Sequence, residues 1–157
     1  MEIASFAGLE EEFLARIASV VWCNVASVDR MGRPRSRIMH PIWEVVDGLP
    51  VGWVGSRHNA FKVKHLANNP YLSLAYVADA TKPVYVDCRV EWVEDMDVRK
   101  HAWDLTANTP PPLGYDPAPI YVSYDDENFG LLKLVPWRVE LTSVAVVPTV
   151  RNVWHAP

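Results

Sequence analysis

The stretch RSRIMHPIWEVVDGLPVGWVG, residues 35–55, decides how this chain folds. Its β-branched and aromatic residues read as strand through Val46. Asp47-Gly48 then gives a strong hairpin signal, since both residue types tolerate the positive φ of a two-residue turn. A further strand is expected over residues 49–55. Upstream, residues 20–28 are equally rich in strand formers and close on Asp29-Arg30-Met31-Gly32, a second turn. Three antiparallel strands are therefore expected before residue 56.

Outward from this core the periodicities continue. Leu9, Phe13, Ile17 and Val20 lie at helical spacing behind the acidic run Glu10, Glu11 and Glu12, which suits a helix N-terminus. A helix is expected over residues 59–68, stopped by Asn69-Pro70 because the residue before a proline resists the helical region. Strands are expected over residues 71–77 and 84–94, and a second helix over residues 97–105, capped by Asp95. Residues 106–128 carry Pro110, Pro111, Pro112, Pro117 and Pro119 with Tyr115, Tyr121 and Tyr124, a Pro/Tyr-rich loop of the length usually reserved for a lid. A last strand spans residues 131–143 with an interruption at Pro136, and the tail to Pro157 reads as peripheral. This order specifies a mainly β (α+β) fold, a six- to seven-stranded antiparallel split β-barrel with short flanking helices. Residues 1–157 form one domain in this reading, and a paired copy would hide the remaining strand edges.

The chain is mildly acidic, net −4, which argues against nucleic-acid binding by counterion release. Between residues 30 and 66 the sign reverses: Arg30, Arg33, Arg35, Arg37, Arg57, Lys62 and Lys64 stand against Glu44 and Asp47 alone. A small basic region on an acidic protein suits a compact anionic ligand. Cys23 and Cys88 fall inside strand-like runs without CxxC spacing, so buried free thiols in a reducing, cytoplasmic setting are expected. No apolar run approaches the roughly 20 residues of a membrane span. The five histidines, His40, His58, His65, His101 and His155, show no metal-ligand spacing, so no metal site is expected. Phosphate-binding loops of the GxGxxG and GxxxxGK[ST] types and the GxSxG nucleophile turn are all missing from the sequence.

Two features gather the basic residues. Ser56 or Asn59 can cap the expected helix at residue 59, whose free N–H groups and dipole favour an anion, and Arg57 and Lys62 add a fork and a point charge. A capped surface helix with solvated charges would have the same residues. Arg35 and Arg37 are two apart and share a strand face, with Met39 and Trp43 further along it, so charge grades into apolar and aromatic surface. A solvent-facing arginine pair on an edge strand fits that spacing as well.

Arg37-Ile38-Met39, Val54-Gly55-Ser56, Lys62-x-x-x-Leu66-x-x-Asn69-Pro70 and Tyr71-Leu72-Ser73-Leu74, in that order, resemble the flavin-binding split β-barrel family that includes pyridoxamine 5′-phosphate oxidase. The resemblance implies that Arg37, Ser56 and Lys62 bind the phosphate of FMN. It also implies that the cofactor lies between two chains of a homodimer, where Trp137 and Arg138 would reach a neighbouring site. Arg57 stands in a segment longer than in the oxidase itself, and its phosphate role rests on its chemistry. Pro83 stands where the oxidase often has a ring-binding glutamine, and the C-terminal arginine and histidine pattern for pyridoxal phosphate is missing, which argues against vitamin-B6 oxidation.

A second branch of this barrel binds the deazaflavin F420, whose wider anionic tail would favour Arg57 and Lys64 beside Lys62. The expected function is hydride transfer to or from a small organic substrate by an FMN-dependent oxidoreductase. The alternatives are an F420-dependent reductase and a non-catalytic flavin or tetrapyrrole storage protein. Trp43, Trp53 or a tyrosine of residues 106–128 would cover the ring face, although strand tryptophans more often pack a core.

Overall fold

The computed structural model describes residues 1–57, 66–145 and 147–157. Within them, helix α1 (Glu10–Ala18) follows a short 3-10 turn, Phe6–Gly8. Phe13 and Ile17, one turn apart, are buried, and Phe13 meets Phe6 and Trp43 edge-on at 5.5 Å each. Arg16 reaches from the same helix to the carbonyls of Thr142 (2.6 Å) and Pro83 (3.2 Å), fixing α1 against the sheet.

Eight strands form one antiparallel sheet: β1 (Cys23–Val28), β2 (Pro34–Met39), β3 (Ile42–Val46), β4 (Leu49–Arg57), β5 (Tyr71–Tyr76), β6 (Val84–Val93), β7 (Phe129–Ser143) and β8 (Val150–His155). Their order is β2-β1-β5-β6-β7-β4-β3, with β8 added on β7. The path does not close, as a split barrel requires. The expected single strand from Arg35 to Val46 is in fact two, β2 and β3, which end on opposite edges of that path. The break falls at His40-Pro41, where proline has no N–H for a ladder and restrains the residue before it. Beyond the break, β3 and β4 form the hairpin expected at Asp47-Gly48, whose φ values of 52° and 77° belong to a two-residue turn.

Strand β7 is the spine, pairing β6 along nearly its whole length, β4 through its first half and β8 through its second. At Pro136 the ladder slips: Asp87 pairs Arg138 while Cys88 pairs Pro136, so Trp137 is bulged out and 44% exposed. The expectation of a peripheral tail is overturned by β8, whose Trp154 is buried against Phe6 at 5.4 Å. One sheet face carries the main core, with Val25, Leu74, Val86, Leu134 and Val139 packed beneath α1. Cys23 and Cys88 are buried there as free thiols.

Helix α2 (Met96–Asn108) starts where Asp95 accepts the backbone N–H groups of Asp97 (2.9 Å) and Val98 (3.2 Å). Its Ala102 packs with Trp53, Phe129 and Leu131 in a second cluster. Arg99, 4% exposed, donates to the carbonyls of Asp126 (3.1 Å) and Phe129 (2.6 Å) and thereby ties α2 to the entrance of β7. The Pro/Tyr-rich segment contains one short helix, α3 (Ala118–Tyr121). The segment folds back on α2 through the Tyr115 N–H to the Thr106 carbonyl (3.1 Å). Gly114 sits so close to the Thr109 carbonyl that a Cβ would fall 1.8 Å from its oxygen. Among the described residues no helix is long and apolar enough to cross a membrane.

Candidate functional site

A cavity of about 490 Å³ opens where the β2–β3 break faces β4 and the Pro/Tyr-rich segment. Trp22, Ile38, Met39 and His40 form one wall and Val54 and Gly55 of β4 a second, while Pro112, Tyr115, Ile120 and Tyr121 close it from the loop side. The volume suits a small ligand, and the lining is mostly apolar and aromatic. Gly55 allows the loop to come this close: a Cβ there would lie 2.9 Å from the Tyr121 ring.

Ile120 and Tyr121 also line an adjoining polar cavity of about 270 Å³, with Arg57, Val122, Asp126 and Asn128. Tyr121 thus separates an aromatic compartment from one holding a guanidinium. Burial raises the Tyr121 phenol above its usual range while Arg57 draws it down, and burial followed by the nearby Tyr121 pushes Tyr115 up to about 12. Both phenols are therefore protonated donors at neutral pH.

His40 stands at the back of the aromatic compartment. Its ring lies 4.9 Å from Trp22 and 5.1 Å from Tyr115, tilted between them. Burial lowers its pKa, with the Leu113 backbone acting in the opposite direction. Its Nε2 is buried and without a hydrogen-bond partner among the described residues.

The residues expected to bind the cofactor are placed as follows. Arg57 is exposed and lines the polar compartment. Ser56 is buried next to it, its hydroxyl donating to the Arg57 carbonyl at 3.4 Å. Arg35 and Arg37 do share one face of β2, the same face as their cross-strand partners Ser27 and Val25. Arg35 pairs with Asp29 at 3.4 Å, and Arg37 donates to the Ser27 hydroxyl at 3.4 Å. On β7, Arg138 bonds Asp87 at 3.0 Å and also Glu140, beside the bulged Trp137. Lys62 and Lys64, and with them the start of the expected anion-binding helix, lie outside the described residues; Leu66 to Asn68 are helical. Trp43 donates to the Tyr76 hydroxyl (2.8 Å) and packs on the main core, while Trp53 donates to Glu44 (2.7 Å). The cavity wall is made by the loop tyrosines instead.

Trp22, Ile38, His40 and Gly55 were not foreseen as cavity residues. A signal for His40 was present, because a histidine just before a proline that ends a strand is held at a break in the sheet.

An open antiparallel split barrel with an aromatic cavity at a strand break and an arginine beside it defines the class of protein. The profile of the pyridoxamine 5′-phosphate oxidase family matches residues 9–142, and the chain belongs to that family. Comparison with curated proteins gives no match. Among solved structures, an FMN-binding protein related to pyridoxamine 5′-phosphate oxidase from Nostoc punctiforme is 16% identical, with a TM-score of 0.66 over 99% of this chain and 92% of that one. A protein of Clostridium acetobutylicum related to general stress protein 26 is 17% identical, with a TM-score of 0.68 over 92% of this chain and 93% of that one. The heme storage protein HutZ of Vibrio cholerae is 20% identical, with a TM-score of 0.61 over 82% and 89%. At these identities the likeness is one of fold.

Proposed function

We propose that this chain is an FMN-dependent oxidoreductase that exchanges hydride with a small organic substrate. The observation that carries the reading is the pair of adjoining compartments: the aromatic one suits a flat ring, and the polar one offers Arg57 to an anion. The family and its FMN-binding relative from Nostoc point the same way. Gly55 contributes in a second respect, since it lets the Tyr121 ring pack directly on the β4 backbone and so form a flat aromatic wall of the compartment. Arg57 would hold the phosphate, with Lys62 and Lys64 added from the following segment, and Ile38, Tyr115 and Tyr121 would hold the ring. Bound FMN would supply the redox chemistry. The chain supplies orientation and exclusion of water, through a loop that covers the cavity with Pro112, Ile120 and two protonated phenols.

Within this reading FMN is favoured over F420. Asp126 stands in the same compartment as Arg57 and would repel the several carboxylates of the deazaflavin tail more than a single phosphate. Storage of a flavin or tetrapyrrole is the competing role, suggested by the likeness to the Vibrio heme storage protein.

Titration of the purified chain with FMN, F420 and heme, followed by absorption and fluorescence, tests the reading. FMN is expected to bind, and Arg57→Ala and Lys62→Ala are each expected to weaken it by about 1.5 to 3 kcal/mol, the loss of one charge-assisted contact. Undiminished affinity in both folded variants would remove the phosphate assignment. Bound FMN that no donor reduces and no acceptor reoxidises would favour storage.

A further inference from the structure

The β2–β3 break leaves one imidazole among aromatic rings and with an unused nitrogen. His40 lies between Trp22 and Tyr115, lines the main cavity, and also lines a small inner void of about 10 Å³. Its Nε2 is buried and has no partner among the described residues, a condition that costs free energy in a folded protein until a donor or acceptor meets it. Burial keeps the ring neutral at physiological pH. In the neutral tautomer protonated at Nδ1, Nε2 keeps its lone pair. Nε2 is then a bare acceptor. A neutral acceptor selects for a ligand N–H and against an anion, which the other end of the site, at Arg57, attracts.

We propose that His40 determines which ring the cavity accepts, by taking a hydrogen bond at Nε2 from the imide N–H of a flat heteroaromatic ring. This rests on the flavin reading above and adds to it the ring-edge contact, which Pro83 cannot make because its side chain has no acceptor and its carbonyl already accepts from Arg16 and the Thr142 N–H. Nε2 has no solvent contact within the stack, so the ligand reaches it by displacing a neighbour. Tyr115 is the neighbour that can yield, since it is carried on the loop while Trp22 leads directly into β1.

The test compares FMN with 3-methyl-FMN, in which a methyl group replaces the imide proton, by fluorescence titration of the whole chain. Wild type is expected to bind FMN at least about tenfold more tightly than the methylated analogue, the scale of one buried polar atom left unpaired. His40→Phe keeps an aromatic ring in the stack and removes the acceptor. It is expected to bind both ligands within about twofold of each other, and His40→Leu serves if the phenylalanine variant does not fold.

Equal binding of the two ligands by wild type, or discrimination that survives in a folded His40 variant, overturns the proposal while the flavin reading stands. Failure of wild type to bind FMN or F420 at all removes the flavin reading and this proposal with it.

Discussion

Asp29 shows how one carboxylate shapes a turn. Its Oδ1 accepts the backbone N–H groups of Met31 (2.9 Å) and Arg33 (3.0 Å), and its Oδ2 meets the Arg33 guanidinium at 2.9 Å, while Gly32 takes the positive φ of 75° that closes the loop. Burial alone would raise the carboxyl pKa, but the two backbone donors and the arginine bring it from 3.8 to about 2. The folded state thus holds the charged form more tightly than the unfolded chain does. This contribution is fully present above pH 3.8 and is lost as pH falls toward 2. Asp29→Asn keeps an oxygen for the two N–H groups but loses the charge, so its urea midpoint should lie below that of wild type at neutral pH and converge on it near pH 2. A constant gap down to pH 2 would show that the carboxylate charge plays no part. The turn itself was legible from Asp29 and Gly32. The clustering of His40 with Trp22 and Tyr115 was not, because they come from three separate segments that meet only when the sheet forms.

Strands and helices divide in the same way. The hairpin at Asp47-Gly48, the cap at Asp95 and the core face of α1 follow from local chemistry and appear where the residues call for them. The break at His40-Pro41 and the strand at Val150–His155 needed tertiary information. A six-residue strand in which Arg151, Asn152 and His155 break up Val150, Val153 and Trp154 has little periodic signal, and it becomes a strand because β7 offers it an edge. Trp154 is 2% exposed, and its indole fills the space between Phe6 and the sheet. Trp154→Ala should therefore cost about 3–5 kcal/mol of unfolding free energy in chemical denaturation. A loss below about 1 kcal/mol would mark β8 as the ornamental tail that its composition suggests.

At the scale of the whole molecule, the sheet face away from the main core carries exposed apolar side chains in a row interrupted by Asn24. Ile38 opposes Asn24, Asn24 opposes Ala75, and Ala75 opposes Tyr85, so all four point to one side, with Tyr71 on the same side of β5. Ile38 is 64% exposed, Tyr71 52% and Tyr85 37%. Trp22 and Trp137 are also exposed, and Trp22 with Ile38 borders the cavity. Such a surface favours pairing of two chains, and a stable pair would bury about 1,200 Å² or more. A homodimer joined through this face, with the cavity at its edge, is the assembly we propose. Light scattering is expected to give twice the chain mass for wild type, and Tyr85→Asp, which places a charge in the row, is expected to give the single mass and weaker FMN binding. A wild-type chain that is monomeric at micromolar concentration would remove the assembly.

The sequence by itself determined the mainly β fold, its turns and caps, and the reversal of charge between residues 30 and 66, because hydrophobic period, turn chemistry and charge are properties of neighbouring residues. Tertiary structure decided which basic side chains are already engaged, as Arg35 is with Asp29 and Arg138 with Asp87, and which face a cavity, as Arg57 does. It also decided that His40 stands at the back of the aromatic compartment, between Trp22 and Tyr115. A binding site is a meeting of segments distant along the chain, and the sheet register that brings them together depends on the packing of all the strands at once.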